Sequence, residues 1–289
     1  MRNNALNQII NEQKPNTVED YKRVLREILQ KICLLGLWRG GWFEHATFYG
    51  GTALRMLYGL DRFSEDLDFA LIEPKSDFQL NSYLSFVQKE LSAWGIVADI
   101  SISEKKDSKI ESAFIKANTL KVLLELSIPK NRVTSLHRDE ISKVKFELDT
   151  QPPCPFSYEF KYILEPIPFS VGVMSLPDLF AGKMHAVLAR SWQNRVKGRD
   201  WYDFIWFVRN KIPLRLTHLE KRLQQSGHLA SGSQLSESHF RELLEERIHF
   251  VDFSQAKQDV LPFIVNSASV ENWSRELFWQ LAKMVVCKE

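Results

Sequence analysis

The pattern of apolar and polar positions divides the chain into a mixed first part and a helical second part. Tyr21, Val24, Ile28, Ile32 and Leu35 recur at helical spacing and predict an amphipathic helix over 17–36. Thr17, with Asp20 three residues on, is placed to form its capping box, and Gly36, Gly40 and Gly41 end it. The first dozen residues read as a loose arm. A β-prone run over 46–49 then meets the pair Gly50-Gly51, a short segment of helical character over 52–60, and a strand in which Asp66 and Asp68 alternate with Leu67 and Phe69. The pattern next predicts a helix over 76–94, with Phe78, Tyr83, Phe86, Val87 and Leu91 turned inward. Strands are predicted over 96–103, 112–116 and 120–127, the last carrying Glu125. Residues 130–157 read as a loop or extended excursion, and 158–164 and 167–173 as further strands.

From Ser175 the character changes. Ser175 as N-cap and Pro177 early in the first turn open a helix to about Trp192. Segments 200–208, 216–225, 236–250, 254–261 and 270–286 also read as helical, with a Ser/Gly-rich loop over 226–233. The fold class expected is α+β: a mixed sheet flanked by helices, then a mainly helical half. The expected domains are 1–170 and 171–289.

Bulk composition changes this little. A net charge of +2 over 289 residues does not mark a nucleic-acid binder, so any basic surface must be local. Cys33, Cys154 and Cys287 form neither a paired framework nor a zinc spacing, which suits a reducing cytoplasm. The polar start lacks a signal segment, and no apolar run is long enough to span a bilayer, so no membrane association is expected.

The candidate chemistry begins with Asp66-Leu67-Asp68. Residues i and i+2 of a strand share a face, so the two carboxylates project together. That is costly unless a cation lies between them, and Mg²⁺, with its preference for oxygen ligands, suits such a pair; Mn²⁺ is an alternative. A solvated acidic strand end would show the same spacing, but the buried character of Leu67 and Phe69 and the nearby glycines favour a site. Gly50-Gly51, between a strand and a helix, lets backbone N–H groups approach a phosphate closely. Glu125, in a strand expected beside Asp66 and Asp68, is either a strand-end carboxylate or the third member of a metal cage.

In the helical half, Lys183 and Arg190 share a helix face, as do Asp200 and Asp203. They fit either a salt-bridged helix pair or a lysine aimed at nucleotide phosphates. Lys183, Arg190, Arg195, Lys197, Arg199, Arg209, Lys211, Arg215, Lys221 and Arg222 face only Asp200, Asp203 and Glu220 in this stretch, a balance suited to a phosphate backbone. Trp192, Trp201 and Trp206 lie among them as base-stacking candidates or core residues. His185 reads as a residue near a site or a packing residue.

Gly50-Gly51 followed by Asp66-Leu67-Asp68 resembles the signature of the DNA polymerase beta-like nucleotidyltransferases. Tyr49-Gly-Gly-Thr-Ala-Leu-Arg55 with Arg62-Phe-Ser-Glu-Asp-Leu-Asp68 is similar to the AbiEii/AbiGii toxin family, and Lys183 with Arg199-Asp200-x-x-Asp203 to that family's downstream motifs. The likeness spans roughly 45 to 210. It implies an Mg²⁺-dependent nucleotidyltransferase that moves NMP from an NTP to an acceptor hydroxyl. The expected acceptor is RNA, some family members modifying the tRNA 3′ end. The setting would be a bacterial abortive-infection or toxin–antitoxin pair, with a cognate antitoxin as partner. By position, Ser64 contacts the triphosphate, Asp66 and Asp68 hold metal and Lys183 binds nucleotide, with Asp203 or Asp200 as the later essential aspartate. Gly50, Gly51, Thr52 and Arg62 complete the nucleotide site. Glu125 stands where Asp is commoner. Lys183, Asp200 and Asp203 are expected to close one cleft with Asp66 and Asp68. A second hypothesis is a binding module on the same fold, without turnover, that takes nucleotide, RNA or antitoxin. A third is transfer to a small molecule or a protein hydroxyl.

Overall fold

The computed structural model describes residues 2–75, 77–103, 109–190 and 196–289, with residues 2–4 as backbone only. Its chain divides into two compact units. The first comprises Met1–Ala53, Glu65–Pro152 and Phe160–Val173. The second comprises Leu54–Ser64, Pro153–Glu159 and Met174–Glu289.

The start of the first unit is not a loose arm. Arg2–Glu12 forms helix α1, fixed by Leu6 and Ile10, both buried. Helix α2, Val18–Arg39, follows the predicted pattern. Thr17 Oγ1 accepts from the Asp20 amide and the Asp20 side chain accepts from Thr17, which completes the capping box. Gly36 lies against the Val87 backbone, where an added Cβ would sit 2.8 Å from Val87 Cα. This lets α2 approach α4, Leu80–Ala93, closely. Leu84 and Val87 face inward on α4, whereas Phe86 is exposed. Ser76, the first residue of that predicted helix, lies outside the described residues.

Strands β1 (Ala46–Tyr49), β2 (Asp66–Leu71), β3 (Ala98–Ser103), β4 (Ile110–Asn118), β5 (Ile141–Asp149), β6 (Tyr158–Ile163) and β7 (Phe169–Met174) form one sheet. Among the described residues its order is β3-β4-β5-β2-β1-β7-β6. It is mixed: β1 runs antiparallel to β2 and parallel to β7, and β2 runs parallel to β5. The fold is α+β, as the pattern predicts.

Two further expectations fail in this unit. Residues 120–127 are not a strand: Thr119–Glu125 is helix α5, opened by Asn118, whose side chain accepts from the Lys121 amide. Val122, Leu123 and Leu126 are its buried positions, a helical spacing rather than alternation. Residues 130–157 are not merely an excursion, because β5 lies within them. In β5 the buried Val144, Phe146 and Leu148 alternate with Lys143, Lys145 and Glu147. The charged partners made the segment read as surface.

The second unit is mainly helical. Helix α3, Gly50–Tyr58, begins in the first unit and ends here. It is followed in this unit by α6 (Leu176–Ala189), α7 (Gly198–Arg209), α8 (Leu216–Gln225), α9 (Glu237–Phe250), α10 (Phe253–Val260) and α11 (Arg275–Lys283). Strands β8 (Leu214–Arg215) and β9 (Cys287–Lys288) form a small parallel pair. Ser175 and Pro177 open α6 as predicted. Its core gathers Trp201, Phe204, Phe253 and Phe278, with the Phe253 and Phe278 rings stacked at 4.3 Å. Among the described residues no helix is long and apolar enough to cross a membrane.

Candidate active site

The first unit carries the acidic half of the predicted chemistry. On β2, Asp66 and Asp68 are half-buried while Leu67 and Phe69 are buried, so both carboxylates leave the same face of the sheet. The turn before α3 is built against them. Gly50 has φ +79°, and a Cβ there would lie 2.2 Å from Asp68 Oδ2. Only glycine gives both that backbone conformation and that clearance. Thr52, fully buried, donates from Oγ1 to the Asp66 carbonyl at 2.5 Å. The Thr52 hydroxyl therefore ties the turn to β2.

The strand beside β2 supplies two charges that the sequence reading missed. In the β2–β5 register, Asp66 pairs with Lys145 and Asp68 with Glu147. All four share the face opposite the buried Val144, Phe146 and Leu67. Lys145 Nζ meets Glu147 Oε1 at 2.5 Å. Burial alone would lower the Lys145 pKa, but Glu147, Asp66 and Asp68 together hold it above its ordinary value. Glu125 does not join this group. It is exposed at the end of α5, outside the sheet, and the neighbouring-strand carboxylate is Glu147. The charged alternation Lys143-Val-Lys-Phe-Glu147 was the signal that could have found it.

Asp66, Asp68 and Glu147 offer only oxygen donors on one sheet face, a set that suits a hard divalent cation. Among the described residues, no three His, Cys, Asp or Glu side chains are gathered closely enough to cage a metal by themselves. A cation held here would draw further ligands from substrate oxygens or water, as Mg²⁺ commonly does.

The remaining predicted residues belong to the second unit, where they form a chain of ion pairs. Arg62 donates from Nε and Nη2 to the two Asp203 oxygens at 2.5 and 2.6 Å. Arg62 is 3% exposed and Asp203 fully buried. Lys183 Nζ reaches Asp203 at 2.8 Å and Asp200 at 2.9 Å. Arg190 Nη1 reaches the other Asp200 oxygen at 2.7 Å. Three cations thus share two carboxylates. Burial would by itself raise the Asp200 pKa, but Lys183 and Arg190 bring it below the usual carboxylate range. Burial would lower that of Lys183, but Asp200 and Asp203 leave it raised. The segment bearing Arg62 is fastened on both sides, by Tyr202 Oη donating to Asp61 and the Phe63 amide donating to the Phe263 carbonyl. Arg62 is therefore committed to Asp203 rather than presented to a phosphate. Lys183, with its side chain 14% exposed, is paired with both aspartates. Ser64 is half-buried at the end of the same segment.

Several of the basic residues also have structural partners. Arg215 pairs with Asp178 at 2.8 Å, Arg222 Nε meets His218 Nε2 at 3.0 Å, and Arg199 lies over the Phe263 ring. Trp201 is a core residue. Trp192 and Arg195 lie outside the described residues. His185 packs on α6, its Nε2 2.9 Å from Ser226 Oγ.

The strand–glycine turn–helix joined to a strand with two same-face carboxylates defines a nucleotidyltransferase arrangement. The chain matches the family described as nucleotidyl transferase AbiEii toxin, type IV toxin–antitoxin system, over residues 32–279. The protein belongs to that family and is a nucleotidyltransferase of the toxin type. Two solved structures from Helicobacter pylori share the fold. JHP933 is 17% identical at TM-score 0.51, with 91% of this chain and 90% of that one covered. A second, ascribed to a nucleotidyltransferase, is 18% identical at TM-score 0.51, with 91% and 93% covered. No curated protein matches the sequence at comparable stringency.

Proposed function

We propose that the protein transfers a nucleoside monophosphate from an NTP to a hydroxyl of an RNA acceptor, with the tRNA 3′ end as the leading candidate. It would act as the toxin of a type IV toxin–antitoxin or abortive-infection pair in the cytoplasm. The observation that carries this reading is the pair Asp66 and Asp68 on one sheet face against Gly50. Asp66, Asp68 and Glu147 would hold Mg²⁺ or Mn²⁺, which when bound would neutralise the carboxylates and stabilise charge on the reacting phosphate oxygens. Gly50 and Gly51 leave backbone room for the triphosphate, and Ser64 adds a hydroxyl donor. Lys183 would offset charge that grows on the leaving pyrophosphate. Asp200 and Asp203 hold its ammonium in place and keep it protonated. Arg62 acts one step back, by fixing Asp203.

Incubation with labelled NTPs, Mg²⁺ and total RNA tests the reading. The wild type should label RNA, and Asp66→Asn and Asp68→Asn should abolish labelling while the proteins remain folded. Full activity in the double variant would overturn it. Nucleotide-dependent thermal stabilisation without label on any acceptor would instead favour a binding module, and label on protein or a small molecule would redirect the acceptor.

A further inference from the structure

We infer that Lys145 is a resident counter-cation of the carboxylate site and holds it together before any divalent ion arrives. The inference rests on the reading of Asp66 and Asp68 as metal ligands. Adjacent strands bring partner residues to about 4.8 Å between strand axes. The β2–β5 register puts Asp68 directly beside Glu147, and like charges in such a pair are destabilising. Asp66 projects from the same face two residues away. Three carboxylates on one face of two adjacent strands repel one another in a protein without metal. The fourth corner of the quartet, opposite Asp66, is Lys145, and its ammonium lies 2.5 Å from Glu147 Oε1. Lys145 therefore lowers the patch from three negative charges to two, which a single divalent ion can balance. It also competes with that ion for Glu147. The lysine is a positioning residue: it keeps the carboxylates poised when the site is empty and limits how tightly the site grips its metal.

The test uses the full chain and Mn²⁺ alone, without nucleotide. Melting temperatures are compared in EDTA and in saturating Mn²⁺, and Mn²⁺ affinity is read by electron paramagnetic resonance. Lys145→Gln should melt several degrees below wild type in EDTA, and saturating Mn²⁺ should close most of that gap. It should bind Mn²⁺ on the order of tenfold more tightly than wild type, since one unit charge has been removed near the ion. Lys145→Arg should stay close to wild type in both respects. A deficit that Mn²⁺ leaves unchanged, or an unaltered Mn²⁺ affinity, would overturn the inference and leave Lys145 as an ordinary ion-pair partner. The Asp66→Asn/Asp68→Asn background separates the two ideas. If it binds Mn²⁺ as well as wild type, the metal-site reading fails. If it fails to erase the EDTA deficit of Lys145→Gln, the counter-cation fails. Should Lys145→Gln not fold, Lys145→Gln/Glu147→Gln must recover a folded protein, and its failure to do so would count against the proposal.

Discussion

Asp203 and Asp68 carry the same side chain in opposite electrostatic settings. Asp203 is fully buried between Arg62 and Lys183, whereas Asp68 is half-buried beside Glu147 and Asp66. Asp203→Ala should therefore cost about 3–5 kcal/mol, because it leaves the buried Arg62 guanidinium uncompensated. Asp68→Asn removes one of several like charges and should leave stability unchanged or slightly raised. Urea denaturation of the two variants checks both signs. An inactive Asp203→Ala protein would then say little about chemistry until its folding is known, while an inactive Asp68→Asn protein would say a great deal. Gly50→Ala should behave differently again. The added Cβ meets Asp68 at a backbone conformation that alanine adopts poorly, so we expect loss of transfer activity and a stability cost of about 1 kcal/mol or more. Asp66 and Asp68 were legible in the sequence because period-two alternation needs no partner to be seen. The role of Arg62 was not, since the residue that fixes it is 141 positions away.

At the scale of elements, local signals read well where the deciding contacts are local. The Thr17 capping box and the start of α2 follow from four residues, and Thr17→Ala should cost about 1 kcal/mol in a thermal melt. Helix α5 and strand β5 were misread for complementary reasons. The first has strand-like composition but is begun by the Asn118 cap, and the second has surface-like composition but is buried on alternate residues by neighbouring strands. With β5 unread, Lys145 and Glu147 went unread too. Helices α6 and α8 also carry a pH dependence. Burial, with Arg222, His228 and Arg190 nearby, pushes His185 down to about 4, and burial with Arg222 pushes His218 down to about 3. Between those values and the ordinary histidine pKa of about 6.5, the unfolded chain binds more protons than the folded one. Stability should therefore fall as pH drops from about 6.5 toward about 4. Melting temperatures across that range should decline in the wild type and more shallowly in His218→Gln.

In the whole molecule, the change of character near 165–175 was visible as the end of alternation and the onset of helical spacing. The earlier passages between units, at 53–54 and 64–65, were not, because they are defined only by what each segment packs against. The segment 54–64 illustrates the point. Asp61, Arg62 and Phe63 all find partners in residues beyond 200. A chain ending at 173 would strand that segment, with Arg62 left without Asp203. We expect it to aggregate or to lack a cooperative melt in circular dichroism, and a sharp transition near that of the full chain would contradict this. The backbone passes between the units at 53–54, 64–65, 152–153, 159–160 and 173–174. For the gene, this means that no single recombination breakpoint hands on the second unit intact, and one at 173–174 hands on the first only with two short segments of the second. A frameshift or premature stop before codon 174 does not release a smaller working enzyme, because it removes Lys183, Asp200 and Asp203 and with them the partner of Arg62. Escape from such a toxin by truncation would be all-or-nothing, and graded attenuation would have to come from point substitutions.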